Sequence, residues 1–332
     1  MTADAPNRSD DDADLVSVRD LRVDFDLSSG FLRASRQVLS AVDGISFTIR
    51  RGETLSLVGE SGSGKSTTGR SLLRLPPPTG GSVHFDGVDM STLDTPGMHA
   101  MRRRMQMIFQ DPFASVNRRM TVAAIIAEPL EVHGLSQGAA KVARVAELME
   151  LVGLKAEWGG RYPHEFSGGQ LQRVGIARAL AVSPDFIVAD EPVSALDVSV
   201  QAQVINLLAE LQRELGLALL FIAHDLAVVR HLSDRVAVMY LGRLVEIADC
   251  DTLYATPRHP YTRALLSAIP VPDPEIEAAR LPILLEGEIP SPVSPPSGCR
   301  FRTRCWKAQA VCAEQDPPLN RLPGGTWVAC HF

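Results

Sequence analysis

The tightest constraint on this chain is eight residues long. Gly59-Glu60-Ser61-Gly62-Ser63-Gly64-Lys65-Ser66 fits G-x-x-x-x-G-K-[ST] in full, and Thr67 follows. The apolar run Thr54–Val58 precedes it, and a helical pattern opens near Lys65 and is stopped by Pro76-Pro77-Pro78. Strand, glycine-rich loop and helix in that order build an anion cradle. The glycines let the backbone curl with its N–H groups inward, and the helix N-terminus adds favourable potential for phosphate. Lys65 supplies a point charge near the β- and γ-phosphates, Ser66 offers its hydroxyl to Mg²⁺, and Thr67 is placed to contact the phosphates.

A phosphoryl-transfer site also needs acid groups at the end of a neighbouring buried strand. Phe186-Ile187-Val188-Ala189 followed by Asp190-Glu191 supplies them. Asp190 is expected to hold Mg²⁺, commonly through its water shell, because Mg²⁺ dehydrates reluctantly. Glu191, one residue on, points elsewhere and can polarise an attacking water.

Around these motifs strand and helix patterns alternate. Leu15–Asp24 and Ala41–Ile49 read as strands, Met90–Glu165 as a mixed, mostly helical stretch, and Gly168–Val182 as a helix. Val200, Val204, Leu207, Leu208, Leu211 and Leu215 form one helical stripe; Leu217–Ala223 is a second buried strand and Leu226–Leu232 a short helix. The alternation predicts an α/β fold with a largely parallel sheet covered on both faces. Residues 1–14 read as a solvated acidic tail. From about Asp249 Pro becomes frequent, and four of the five cysteines fall in the last thirty-four residues. The expected division is therefore a tail (1–14), a main domain (15–248) and a small Cys/Pro-rich C-terminal region (249–332).

Thirty-three basic against thirty-nine acidic residues, net −6, with no long basic run, argue against a nucleic-acid partner. No apolar run reaches the length that spans a bilayer, and no signal peptide is visible, so the chain is expected to stay in the cytosol. Any membrane role must then come through partners.

With these residues in place the chain resembles the ATP-binding cassette (ABC) ATPases, P-loop NTPases of RecA-like fold with a helical subdomain, here about residues 90–165. Phe166-Ser167-Gly168-Gly169-Gln170 resembles their signature motif, and Gln110 in Ile108-Phe109-Gln110-Asp111-Pro112 their Q-loop glutamine. Ser194-Ala195-Leu196-Asp197 looks like the D-loop, His224 like the switch histidine, and Phe25 falls where an aromatic stacks on adenine, beside an insertion at Ser28–Gln37. The resemblance implies ATP as substrate and Mg²⁺ held by Ser66, Asp190 and Gln110. It gives catalytic roles to Lys65, Gln110, Glu191 and His224, and nucleotide contacts to Phe25, Gln110 and the loop from Gly59 to Thr67. Ser167, Gly168, Gly169 and Gln170 would close on the nucleotide of a second subunit, with Asp197 in the D-loop beside them. The chain is then half of a two-site dimer whose helical region receives a coupling helix.

Arg161-Tyr162-Pro163-His164-Glu165, Arg258-His259-Pro260-Tyr261-Thr262-Arg263-Ala264-Leu265-Leu266, and Pro295-Pro296-Ser297-Gly298-Cys299 with Phe301 and Arg304-Cys305 narrow the likeness. They resemble the ATPase subunits of oligopeptide/dipeptide permeases, most of all the F-type subunit; Trp306 departs from the usual Pro. That likeness implies a peripheral protein at the cytoplasmic face of the inner membrane, powering peptide import. Its partners would be a similar, non-identical ATPase, two membrane permeases and an extracytoplasmic binding protein. An importer of another solute, such as nickel or glutathione, remains an alternative, as does a soluble cassette ATPase acting outside transport. The latter usually carries two cassettes or a long coiled-coil insertion, and neither is evident here.

Cys299, Cys305, Cys312 and Cys330 are spaced C-x5-C-x6-C-x17-C. In a cytosolic chain such a cluster points to metal rather than disulfides, and the wide first spacing fits a zinc ribbon poorly. Four thiolates suit a [4Fe–4S] cluster, which the family resemblance also implies, with Arg300, Arg302 and Arg304 offsetting their charge. Zinc, with His331 replacing a cysteine, and thiols without metal are the alternatives. Cys250 stands apart and is expected to be a buried structural thiol.

Overall fold

The computed structural model describes residues 14–27, 37–270, 273 and 281–332. The acidic tail up to residue 13 and most of the Ser28–Gln37 insertion lie outside the described residues. The chain builds two sheets. In the smaller, β1 (Val16–Asp26) pairs antiparallel with β2 (Val38–Ile49) and β4 (Gly80–Phe85), which in turn pairs with β5 (Val88–Asp89).

The larger sheet has eight strands. Five are parallel: β6 (Met105–Ile108), β7 (Phe186–Asp190), β8 (Ala218–Ala223), β3 (Thr54–Val58) and β9 (Arg235–Tyr240), in that order. β10 (Arg243–Asp249) turns back antiparallel on β9, and two short strands, β11 (Asn320–Arg321) and β12 (Trp327–Val328), close that edge. Every residue of β3, β7 and β8 is buried. β8 and the first four residues of β7 are unbroken apolar runs, and β3 adds only the small polar Thr54 and Ser56, because helices cover one face and the small sheet the other.

Alternate residues of the central strands feed two cores. Ile187, Ala189, Leu219 and Phe221 join a cluster with α3 (Val122–Val132), α4 (Gly138–Leu151), α5 (Gly168–Leu180) and α6 (Val198–Leu215). Val188, Leu220, Ile222, Leu55 and Leu57 face the other way, toward the small sheet and the end of α1 (Lys65–Leu72). No helix among the described residues is long and apolar enough to cross a membrane.

Several sequence expectations need correction. The large sheet is largely parallel, as expected, but β10, β12 and β11 extend it antiparallel at one edge, and β1, β2 and β4 form a separate antiparallel layer that the sequence reading does not distinguish. The stretch Met90–Glu165 hides β6, four residues directly following α2 (Thr95–Arg104), whose strand character shows only against β7. The stripe on α6 ends early: Val204, Leu207, Leu208 and Leu211 are buried, but Leu215 is 49% exposed where Gly216 turns the chain into the left-handed region. Leu226–Val229 is a single helical turn, stopping short of Leu232.

Candidate nucleotide site

The glycine-rich loop joins β3 to α1. Two of its glycines are imposed by close approach. A Cβ at Gly59 would meet the Met239 carbonyl oxygen at 2.1 Å, and one at Gly64, whose φ is +103°, would meet the Ala41 oxygen at 2.1 Å. Lys65 is buried; its Nζ donates to the Gly59 oxygen (2.7 Å) and the Glu60 oxygen (3.0 Å), so it pins the loop it belongs to. Burial lowers its pKa, against the opposing pull of Glu191, Asp190 and Glu60.

At the end of β7, Asp190 is fully buried. It accepts from Ser66 Oγ at 2.6 Å on one oxygen and from Arg70 at 3.1 Å on the other. Ser66 and Asp190 are hard oxygen donors side by side, and this fits Mg²⁺. Gln110 sits apart from them: its Nε2 donates to Glu191 Oε2 at 2.9 Å, and His224 Nδ1 lies 3.7 Å from the same oxygen. Glu191 has a φ of +45°, a conformation that costs a non-glycine residue about 1–3 kcal/mol and accumulates at functional sites. Its N–H donates to the Ile222 oxygen and its carbonyl accepts from Ser194 Oγ, which together hold it there.

One cavity of about 480 Å³ collects Phe25, Ser61, Gly62, Gly64, Lys65, Ser66, Thr67, Gln110, Glu191 and His224. Gly59, Glu60, Ser63 and Asp190 do not line it. Glu60, expected among the nucleotide contacts, turns its carboxylate away, to Arg304. Pro292 and Gly242 also line the cavity, and Arg70 supports Asp190. Sequence reasoning missed all three, since each acts across more than a hundred residues and leaves no local pattern.

None of Ser167, Gly168, Gly169, Gln170 or Asp197 lines this cavity. Ser167 caps α5: its hydroxyl accepts from the Gln170 N–H (3.3 Å), and the Gln170 side chain accepts from the Ser167 N–H (3.0 Å). Asp197 precedes α6 and is exposed. Arg178, from the far end of α5, donates to the Ser115 oxygen at 2.6 Å and lies over the Phe109 ring, tying the signature helix to the segment bearing Gln110.

Residues 42–194 match the family model described as ABC transporter, and residues 245–312 that described as oligopeptide/dipeptide transporter, C-terminal region. The putative oligopeptide transport ATP-binding protein YkfD of Bacillus subtilis is 57% identical over 96% of this chain and 95% of its own. The chain belongs to the ABC transporter ATP-binding subunits, in the oligopeptide/dipeptide transporter family.

Other members of this ABC family include a putative peptide import ATP-binding protein of Brucella ovis (55% identical, 95% of this chain and 97% of its own). The oligopeptide transport ATP-binding protein AppF of Bacillus subtilis is 51% identical over 96% of this chain and 97% of its own. Among solved structures, a dimeric post-hydrolysis state of the cassette MJ0796 with ADP and phosphate gives a TM-score of 0.63 at 28% identity, covering 71% of this chain and 98% of that one. CbiO1 of Clostridium perfringens gives 0.63 at 26%, covering 73% and 91%. The narrower likeness to an F-type subunit is not supported and is withdrawn, since YkfD matches this ABC protein better than AppF does.

The expected iron–sulfur or zinc site also needs correction. Among the described residues no three His, Cys, Asp or Glu side chains gather as a metal site, and these include Cys299, Cys305, Cys312, Cys330 and His331. Burial pushes the Cys299 thiol up to about 11 and raises that of Cys305, and the neighbouring cysteines add to the rise in both. The arginines expected to balance thiolate charge are engaged elsewhere: Arg300 with Asp43, Arg302 with Ser297 and Arg304 with Glu60. Cys250 is buried, as a structural thiol would be.

Proposed function

We propose that this chain is the ATP-hydrolysing motor of a peptide importer, acting as one half of an ATPase dimer at the cytoplasmic face of the inner membrane. The observation that carries the reading is the meeting of Gln110, Glu191 and His224 at one carboxylate oxygen, in the cavity that also holds Lys65 and Ser66. The names of its relatives support peptides as cargo.

Lys65 and the inward N–H groups of the loop bind the triphosphate, and Phe25 stacks on the base. Ser66 and Asp190 would hold Mg²⁺, which when bound neutralises charge on the transferring phosphoryl group. Glu191 orients the attacking water and takes its proton, His224 contacts the γ-phosphate, and Gln110 reports the occupied site to the helical region at residues 90–165. Ser167, Gly168, Gly169 and Gln170 lie outside the cavity of their own chain, so their capped helix end is offered to the nucleotide of a second subunit, with Asp197 alongside. We infer that this second subunit is a similar, non-identical ATPase. Two membrane permeases and an extracytoplasmic binding protein complete the assembly, and residues 15–248 do the chemistry while 249–332 brace it.

Affinity purification of the intact membrane complex, with identification of every subunit, tests the assignment; recovery without any hydrophobic permease subunit overturns it. In that complex Glu191→Gln is expected to retain ATP and trap a closed dimer while turnover is lost. Undiminished hydrolysis would remove Glu191 from its role.

A further inference from the structure

The turn from Cys299 to Cys305 reaches across the molecule to the phosphate loop. Arg304 holds Glu60 with both arms of its guanidinium, Nη1 to Oε2 at 2.6 Å and Nη2 to Oε1 at 3.1 Å. Its side chain is only 8% exposed, against 25% for that of Glu60. Tyr261, fully buried, accepts a hydrogen bond from the Glu60 N–H at 2.9 Å. With Lys65 on its carbonyl, Glu60 is held at its N–H, its C=O and its carboxylate. Two of those three holds come from beyond residue 249, at sequence separations of 201 and 244.

A second strut runs beside the first. Arg300 donates to the Leu241 oxygen and to Asp43, and the neighbouring Gly242 N–H donates to the Ser63 oxygen at 2.9 Å. Between the two, Phe301 sits in a cluster of rings with Tyr240 and Tyr261, centroids 5.3 Å away in each case.

The charge pattern gives this bracing a purpose. Glu60 places a carboxylate in a loop that must receive a polyanion, where an unpaired negative charge repels phosphate. A bidentate arginine both cancels the charge and fixes its direction, away from the cavity. We propose that Arg304 is a positioning residue for ATP binding, acting through Glu60 by neutralising its carboxylate and setting the path of the phosphate loop. The C-terminal region is thereby a working part of the nucleotide site. This rests on the reading of that loop as the ATP site.

The test uses the full-length chain, with equilibrium titration of a fluorescent ATP analogue and steady-state hydrolysis. Arg304→Met is expected to raise the ATP Kd and KM about 10-fold while kcat changes less than about 3-fold. Adding Glu60→Gln to Arg304→Met is expected to recover affinity to within about 3-fold of the wild type, because the stranded charge is gone. A residue that only stabilised the fold, or that touched ATP directly, would not be rescued in this way.

Unchanged affinity in Arg304→Met, or no recovery in the double variant, overturns the proposal. Should Arg304→Met be insoluble, Arg304→Lys carries the test: it keeps the charge but loses the fork, so a KM rise of about 3-fold is expected and an unchanged KM is fatal. A wild-type chain that binds no ATP overturns the functional reading along with this one. A binding-competent wild type with an indifferent Arg304→Met overturns this one alone.

Discussion

Phe301 offers the sharpest test of how firmly residues beyond 249 belong to the body of the protein. Its side chain is 1% exposed, and it packs against the rings of Tyr240, Tyr261 and His259 at centroid distances of 5.3, 5.3 and 5.7 Å. Replacing a buried Phe by Ala costs about 3–5 kcal/mol, the spread reflecting how well the site can relax. Here Phe301 borders a cavity of about 740 Å³ shared with Trp327 and Leu244, so its removal enlarges an existing space instead of opening a sealed one. That places Phe301→Ala near the lower bound, about 3 kcal/mol. At about 2–4 °C per kcal/mol the melting temperature should fall by about 6–12 °C, toward the smaller figure for a chain of this length. Scanning calorimetry of the full chain measures it, with Trp306→Ala, 47% exposed, as a control expected to shift the midpoint by less than about 2 °C. Two results would refute the reasoning. One is a fall in Phe301→Ala no larger than the control. The other is a separate early transition in the wild type that Phe301→Ala alone lowers, since that would make the C-terminal region an independent unit.

Lys65→Ala removes the group that pins the Gly59 and Glu60 carbonyls as well as the charge facing the phosphates. ATP binding should drop below detection in calorimetric titration, and retained tight binding would misplace the site. Ser167→Ala breaks the reciprocal cap on α5 at a cost of about 1 kcal/mol in stability. Its larger effect is expected in trans, where mixed dimers with one Ser167→Ala subunit lose hydrolysis at the partner's nucleotide and keep their own. His259 is held neutral: burial lowers its pKa to about 3, and its Nδ1 accepts from the Tyr261 N–H at 3.1 Å. Because the folded pKa lies below the ordinary value, the unfolded chain takes up the proton first. Stability should therefore decline as pH falls from about 6.5 toward 3, by roughly 1.4 kcal/mol per unit at most. His259→Asn should flatten that acid limb in urea titrations, and an unchanged slope would clear His259 of responsibility.

What the sequence reveals about this protein follows the distance over which each feature is built. The phosphate loop, the strand ending in Asp190 and the cap of α5 are local; glycine spacing, apolar runs and a serine three residues before a glutamine suffice to announce them. The antiparallel layer of β1, β2 and β4 was harder to foresee, because its strands alternate in burial as any half-covered strand does, whichever sheet it joins. β6 was invisible for another reason: four residues behind an arginine-rich helix acquire strand character only from β7 beside them. In the nucleotide site, the loop residues and Gln110, Glu191 and His224 were all nameable, yet the direction of Glu60 was not. Nothing near Glu60 in sequence marks a partner 244 residues away. The same blindness affected the cysteine cluster. Arg300 and Arg304 looked like counter-charges for thiolates while their actual partners, Asp43 and Glu60, lay in the first fifth of the chain.

The strand pairing at the far edge of the large sheet has a bearing on synthesis. β10 is complete at Asp249, but β12, which covers its outer side, begins only at Trp327. While the ribosome works through the intervening stretch, the emerging polypeptide carries an open row of amides and carbonyls, a template for sticking to its neighbours. Maturation of this subunit is in that sense finished from the tail backward, and the interval before closure is when a chaperone has most to protect.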